Sequence, residues 1–127
     1  MYTLIIGNKN YSSWSLRPWA LMQELNIPFT EELKPFVDGG SWAEFREFSP
    51  TGTVPVMIDH HNNVTVWDSL AIIEYLAENI PDVWPTDKIA RAWDRSATAD
   101  NALRIFSSAK PMQYDSRTTR KTSCDFF

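Results

Sequence analysis

Two adjacent serines, Ser12 and Ser13, lie between a short apolar run and an amphipathic helical pattern. A hydroxyl in that position sits at a helix N-terminus, beside unpaired backbone N–H groups and the positive end of the helix dipole. Such surroundings stabilise an anion, and a thiol held there ionises more easily, as cysteines at helix N-termini do. The simpler interpretation is that the serines only cap the helix, which is a common use of serine.

A second feature is the proline that opens the apolar segment Val54–Asp59. Proline cannot donate to a strand ladder, so Pro55 belongs at the start or the edge of a strand. A cis Val54–Pro55 bond would turn the Val54 backbone outward, where it can pair with an extended peptide ligand. An ordinary trans proline is the alternative, because only about 5–6% of X–Pro bonds are cis.

The third feature is the pair Asp68 and Ser69, which precedes another apolar helical pattern. The Ser69 hydroxyl and the first backbone N–H groups of the helix suit a carboxylate, whereas Asp68 suits an ammonium group. Together they fit the head group of an amino acid. A plain helix cap is the equal alternative.

The elements that position these residues alternate along the chain. Hydrophobic periodicity predicts strands over 2–6, 28–34, 54–59 and 64–67, with a turn at 60–63, and helices over 16–25, 41–48, 70–79 and 88–104. We expect Ser13 or Ser15 to cap the first helix with Pro18 in its first turn, and Ser41 with Glu44 to form a capping box in the second. The first two strands should be parallel and the last two a hairpin, giving an α/β sandwich with a four-stranded mixed sheet.

Composition excludes several classes of function. The chain has 127 residues and a net charge of −4, which argues against a nucleic-acid-binding surface. No apolar run approaches the roughly 20 residues of a membrane span. The single cysteine, Cys124, fits a reducing compartment, so a cytoplasmic location is expected. The neighbouring His60 and His61 should point apart and lack a third ligand, so no metal site is expected.

The three features, in this order and at these spacings, resemble the N-terminal domain of glutathione S-transferases. The run Tyr11–Trp19 is similar to the serine-type branch, close to the zeta (maleylacetoacetate isomerase) pattern Ser-Ser-x-Ser-x-Arg. The segment Gly52–Val56 resembles the cis-proline segment of the family, and Asp68–Ile72 resembles its glutamyl-binding segment. The resemblance implies a thioredoxin-like βαβαββα fold over residues 1–85.

The resemblance also implies glutathione as ligand and co-substrate. Ser12 would then hydrogen-bond to the glutathione sulfur and stabilise its thiolate, with Ser13 as the alternative. Val54, followed by Pro55, would pair its main chain with the cysteinyl part of glutathione.

The remaining part of the implied site holds the two ends of glutathione. Asp68 and Ser69 would bind the γ-glutamyl amine and carboxylate. Lys34, near the end of the second predicted strand, is a candidate for the glycyl carboxylate, with a solvated lysine as the alternative.

Beyond residue 85 the resemblance leaves two functions open. Residues 86–104 match the opening helix of an all-helical second domain that supplies the electrophile site in the family, and the polar composition of 105–127 predicts a poorly ordered tail. The chain is therefore either a transferase that conjugates or isomerises a small electrophile, with a homodimer as an option, or a truncated non-catalytic module that binds glutathione or another protein. A disulfide oxidoreductase is disfavoured because the loop before the first helix has no cysteine.

Overall fold

A computed structural model describes residues 1–10, 12–36 and 42–104 of the chain. The strands are β1 (Tyr2–Ile6), β2 (Phe29–Leu33), β3 (Val56–Asp59) and β4 (Val64–Trp67). The helices are α1 (Ser13–Glu24), α2 (Trp42–Phe45), α3 (Ser69–Ala77) and α4 (Lys88–Arg104), with a 3₁₀ turn over Pro81–Val83 between the last two.

The four strands form one mixed sheet in the order β2-β1-β3-β4. Strands β1 and β2 are parallel, as expected for strands joined by a crossover helix, while β3 is antiparallel to both β1 and β4. The predicted thioredoxin-like fold, with its four-stranded mixed sheet and flanking helices, is confirmed.

The core lies where the two central strands meet the helices. Leu4 and Ile6 on β1 and Met57 on β3 are fully buried, and they pack with Met22 on α1 and Leu76 on α3. Burying one such side chain contributes about 1.5–3 kcal/mol. Because α1 packs against α3 over this core, the start of each helix is held in a fixed relation to the sheet.

Helix α1 begins earlier than the periodicity predicted. It starts at Ser13 rather than Leu16, and its N-cap is Ser12, so the prediction that Ser13 or Ser15 caps it was wrong. Pro18 consequently lies in the second turn, not in the first. A proline there removes one helical hydrogen bond, and the complete burial of its ring among apolar neighbours offsets part of that cost.

Several other elements are shorter than predicted, and for helix α2 and strand β3 the hydrogen bonding gives the reason. Helix α2 ends at Phe45 instead of Phe48, because Glu47 and Phe48 donate to carbonyls three residues back in tight turns. Strand β3 begins at Val56 because Pro55 has no N–H for the ladder. The predicted cap Ser41 lies outside the described residues.

Helix α4 has the bounds that periodicity predicted, Lys88–Arg104. Ile89, in its first turn, is 72% exposed. The boundary at residue 85 stays a prediction, and the predicted tail, 105–127 with Cys124, lies outside the described residues. Among those that are described, no helix is both long and apolar enough to cross a membrane.

Candidate functional site

Strand register brings the three sequence features to one end of the sheet. Ile5 pairs with Val56, and Val56 pairs in turn with Trp67. The loop that follows β1, the Val54–Pro55 segment that precedes β3 and the Asp68–Ser69 segment that follows β4 therefore lie at the same end of the sheet. Residues that are up to 57 positions apart in sequence share one end of the sheet.

The first turn of α1 holds Ser12 at this end of the sheet. Its backbone is extended, and its Oγ atom accepts a hydrogen bond from the backbone N–H of Ser15 at 3.3 Å. The hydroxyl itself donates to the Oγ atom of Ser15 at 3.0 Å. Ser13, the other candidate, is the first residue of the helix and is half-buried. Ser12 is thus the cap of the helix. The thiol-binding role of Ser12 or Ser13 stays a prediction.

Ser15 is a supporting residue that the sequence reasoning treated only as a possible cap. It is fully buried, and its Oγ atom accepts a hydrogen bond from the backbone N–H of Gly7 at 3.1 Å. Because Gly7 directly follows β1, this bond fixes the Ser12 hydroxyl against the end of that strand. Its signal in the sequence is the third serine of the run, three residues after Ser12.

The Val54–Pro55 peptide bond is cis, as the resemblance implied and against the base rate. Hydroxyl groups organise the loop before it: the Oγ atom of Ser49 accepts a hydrogen bond from the Thr53 N–H at 3.2 Å and lies 3.2 Å from the Thr51 hydroxyl. A Cβ atom placed on Gly7 would lie 3.3 Å from the Val54 side chain. Val54 therefore lies beside the end of β1, next to the strand that leads into the serine loop.

Asp68 is the N-cap of α3. Its Oδ1 atom accepts hydrogen bonds from the backbone N–H groups of Leu70 at 2.9 Å and Ala71 at 3.3 Å. The residue has a φ of 77°, a conformation that is uncommon outside glycine and that aspartate tolerates better than most residues. Two of the helix N–H groups predicted to meet a carboxylate are thus already bound by Asp68.

Ser69 differs from Asp68 because its side chain has no partner. The residue is 1% exposed, and its Oγ atom forms no hydrogen bond with the described residues. Most buried polar atoms are hydrogen-bonded, so an unpaired hydroxyl at a helix N-terminus indicates a position that a ligand can satisfy.

Arg17 connects α1 to the start of α3 electrostatically. Burial lowers the pKa of its guanidinium group, and the charge of Asp68 raises it. The guanidinium lies 4.9 Å from the ring centre of Trp14, a cation–π distance. Its Nη2 atom is buried and has no hydrogen-bond partner among the described residues. The charges of Arg17 and Asp68 are therefore close enough to interact.

Lys34 follows β2 at the same end of the sheet as the other candidates, where its backbone N–H donates to the Ile6 carbonyl at 2.8 Å. Its Nζ atom is 2.7 Å from the Glu32 carboxylate, which raises the pKa of the lysine, and Glu47 and Glu44 raise it further. It lines a cleft of about 350 Å³ with Phe45 and Phe48. A glycyl carboxylate there would have to compete with carboxylates already present, so this assignment has the least support.

The histidine pair lies in the turn between β3 and β4. The Nε2 atom of His60 is 2.8 Å from the Thr3 hydroxyl. Within the described part of the chain, no three His, Cys, Asp or Glu side chains come together in a group that could hold a metal ion.

Comparison with known proteins places this geometry in a family. Residues 11–79 match the family model described as the glutathione S-transferase N-terminal domain. Dichloromethane dehalogenase from Methylophilus leisingeri is 44% identical over 59 residues, which cover 45% of this chain and 21% of that protein. Glutathione S-transferase 2 from Schizosaccharomyces pombe is 36% identical over 83 residues, 61% of this chain and 34% of that protein. Protein URE2 from Debaryomyces hansenii is 43% identical over 58 residues, 44% of this chain and 19% of that protein.

Solved structures agree with these relatives. A glutathione transferase homologue from Burkholderia GL BGR1, solved with bound glutathione, is 27% identical with a TM-score of 0.63, and the match covers 77% of this chain and 51% of that one. Ure2p in complex with glutathione shares the fold at 23% identity and a TM-score of 0.57, over 87% of this chain and 53% of that one. The chain spans about half of these structures and roughly a fifth to a third of the curated relatives. With more than half of its residues matching the family model, the chain belongs to the glutathione S-transferase family, through its N-terminal domain.

Proposed function

We propose that this chain binds glutathione at the end of the sheet where the serine loop, the Val54–Pro55 segment and the start of α3 lie. The observation that carries the proposal is the buried, unpaired hydroxyl of Ser69, which a γ-glutamyl carboxylate would satisfy. Asp68, one residue earlier, would receive the ammonium group of the same amino acid. The backbone of Val54, beside the cis bond, would pair with the cysteinyl part.

The proposed chemistry is transfer of the glutathione thiolate to a small electrophile. The Ser12 hydroxyl turns from Ser15 to the sulfur and donates its hydrogen bond to the thiolate, while the thiol proton passes to solvent. The thiolate then forms a carbon–sulfur bond as the leaving group departs with the bonding electron pair. The hydrogen bond from the Gly7 N–H to the Ser15 Oγ atom stays in place throughout, so the loop stays attached to the end of β1.

A second candidate function is binding without turnover, as a glutathione-binding or protein-interaction module. The observation that favours it is that the family model matches residues 11–79, the part of the chain that holds the proposed glutathione-binding residues Ser12, Val54, Asp68 and Ser69. In the family that the sequence resembles, an all-helical second domain supplies the electrophile site.

Calorimetric titration with glutathione tests the binding proposal. We expect the wild-type chain to bind, and Ser69→Ala and Asp68→Asn each to weaken binding about tenfold, because a charge-assisted hydrogen bond contributes about 1.5–3 kcal/mol. Ser96→Ala is the matched control, since its exposed hydroxyl lies on α4 and bonds to a helix carbonyl. A folded wild-type chain that does not bind glutathione would overturn the proposal.

Turnover of a chlorinated aromatic electrophile separates the two functions. If the chain is an enzyme, either Ser12→Ala or Ser13→Ala lowers kcat while leaving glutathione affinity nearly unchanged. Glutathione binding without measurable turnover supports the non-catalytic module instead. Unchanged activity in both serine variants would contradict the thiolate role.

Three finer features belong to the same proposal. The spacing of Ser12, Ser13, Ser15 and Arg17 supports assignment to the serine-type, zeta-like branch. A cytoplasmic location suits a ligand that is itself the thiol buffer of reducing compartments. A homodimer is the assembly we propose to look for by sedimentation.

A further inference from the structure

Lys9, in the loop that leads from β1 to Ser12, is held by a carboxylate on the neighbouring strand. Its Nζ atom lies 2.9 Å and 3.1 Å from the two carboxylate oxygens of Glu31 on β2. The same ammonium group lies 4.2 Å from the ring centre of Trp19 on α1, a cation–π distance. The cluster of Lys9, Glu31 and Trp19 includes none of the residues proposed to bind glutathione.

Trp19 fixes the carboxylate in this cluster. Its indole N–H donates to the Glu31 Oε2 atom at 2.6 Å, and its ring packs against the core. The hydrogen bond from Lys9, and then the one from Trp19, lower the pKa of the Glu31 carboxyl group against the opposing effect of desolvation. An isolated surface ion pair contributes little, but a carboxylate that is bound by two donors at once holds its cation in one place.

Hydrogen bonds of Asn8 join Lys9 to Ser12. The Asn8 carbonyl accepts a hydrogen bond from the Ser12 N–H at 2.8 Å, and the Asn8 side chain accepts one from the Asn10 N–H at 2.9 Å. Lys9 lies between residues that these bonds tie together. Fixing Lys9 against β2 and α1 therefore fixes the turn that ends at Ser12, and a misplacement of about 1 Å at a reacting group can cost about a hundredfold in rate.

We propose that Glu31 is a positioning residue for the hydroxyl of Ser12 and acts through Lys9. The inference rests on the proposed function, in which that hydroxyl donates to the glutathione sulfur. Charge alone predicts the opposite effect of Glu31, because removing a negative charge near a thiol favours the thiolate and lowers the thiol pKa. Loss of the Ser12 position raises the thiol pKa instead. The direction of the change therefore separates the two effects.

The test measures the thiol pKa of bound glutathione from the ultraviolet absorbance of its thiolate. Glu31→Gln should raise that pKa by about 0.5, toward the roughly 8.5 of a free thiol, because the hydrogen bond from Ser12 is weakened. Glutathione affinity, measured by calorimetry below the thiol pKa, should change less than about twofold, since the bonds proposed for Asp68 and Ser69 are unaltered. A residue that only stabilised the fold would not move the thiol pKa of the folded complex.

Glu74→Gln on α3 is the matched control. The Glu74 carboxylate is also bound by a cation at 2.9 Å and 3.1 Å, here the Arg95 guanidinium, so the substitution removes the same charge from a similar ion pair. The thiol pKa should stay within about 0.2 of the wild-type value. Trp19→Phe removes the indole donor to Glu31 without changing any charge, and it should also raise the thiol pKa. This variant decides the question if Glu31→Gln fails to fold.

An unchanged or lowered thiol pKa in Glu31→Gln would overturn the positioning role. If the wild-type chain does not bind glutathione, the proposed function fails, and hydrogen exchange of the Ser12 amide decides separately whether Glu31 positions Ser12. Loss of the contact with Lys9 should speed that exchange several-fold relative to the amide of Ile72, which donates within α3 at 3.0 Å. An equal change at both amides would mean that Glu31 stabilises the whole fold and does not position the loop.

Discussion

The hydroxyl of Ser12 donates a hydrogen bond to the Oγ atom of Ser15, which in turn accepts one from the backbone of Gly7. One buried oxygen thus joins the proposed thiol-binding group to the end of β1. The position of Ser12 depends on a residue that need not touch the ligand.

Replacing Ser15 with alanine should destabilise the fold by about 1–3 kcal/mol, because the buried Gly7 N–H loses its acceptor. Urea denaturation measures the free energy of unfolding. Ser96→Ala, with an exposed hydroxyl, should stay within about 0.5 kcal/mol of the wild type. Equal stability of the two variants would show that the Ser15 bond contributes nothing.

There is little space for a side chain at Gly7. A Cβ atom there would lie 2.6 Å from two ring atoms of Phe36, so Gly7→Ala should cost about 1–3 kcal/mol through overpacking. Because Phe36 is half exposed, it can move aside, and the loss should fall toward the lower value. In a Phe36→Ala background the cost of Gly7→Ala should shrink by at least about 0.5 kcal/mol. An unchanged cost in the double variant would mean that the clash lies elsewhere.

Asp59 makes stability depend on pH in the acid range. A hydrogen bond from the Tyr75 hydroxyl, with others from Asn62 and from the backbone of His61, lowers the pKa of this carboxyl group to about 2 against the opposing effect of desolvation. The folded-state pKa lies below the unfolded one of about 3.9, so the stabilisation is present above pH 4 and is lost as the pH falls toward 2.

Asp59→Asn should therefore unfold more easily than the wild type near neutral pH, and the gap in free energy of unfolding should close between about pH 4 and pH 2. Denaturant titrations across that range measure the gap. Tyr75→Phe should raise the pKa of Asp59, which a carboxyl NMR titration detects. A gap that does not change with pH would contradict the assignment.

Leu76 on α3 is fully buried in the core, and Leu33 on β2 is 52% exposed. Leu76→Ala should cost about 2–5 kcal/mol through lost burial and a residual cavity. Leu33→Ala is the same chemical change at the surface and should cost no more than about 0.5–1 kcal/mol. Thermal unfolding of both variants gives the comparison, and similar melting temperatures would contradict the assigned core.

Sequence patterns predicted the sheet well because alternation and crossover length constrain it. Each predicted strand and helix exists, and α4 has the predicted bounds. The start of α1 escaped prediction because the burial that makes Pro18 tolerable in its second turn is tertiary. The cis bond at Val54–Pro55 followed from family resemblance and not from residue chemistry.

The roles of the site residues were harder to predict from the sequence than the strands and helices. Capping and ligand binding call for the same residue types, so Asp68 and Ser69 looked alike in sequence. Only three-dimensional contacts separate them, since Asp68 binds its own helix whereas the Ser69 hydroxyl has no partner.

The register that aligns Ile5, Val56 and Trp67 depends on the length of the hairpin turn, which lies at the opposite end of the strands from the proposed glutathione site. Side chains alternate faces along a strand, so adding one residue between Asp59 and Val64 would shift β4 by one position and invert its faces. Ser69 would then be displaced by about 3.3 Å along the strand direction, although every residue of the proposed site would keep its identity. The length of the turn between β3 and β4 therefore helps to set the distance between Val54 and Ser69, two residues of the proposed glutathione site.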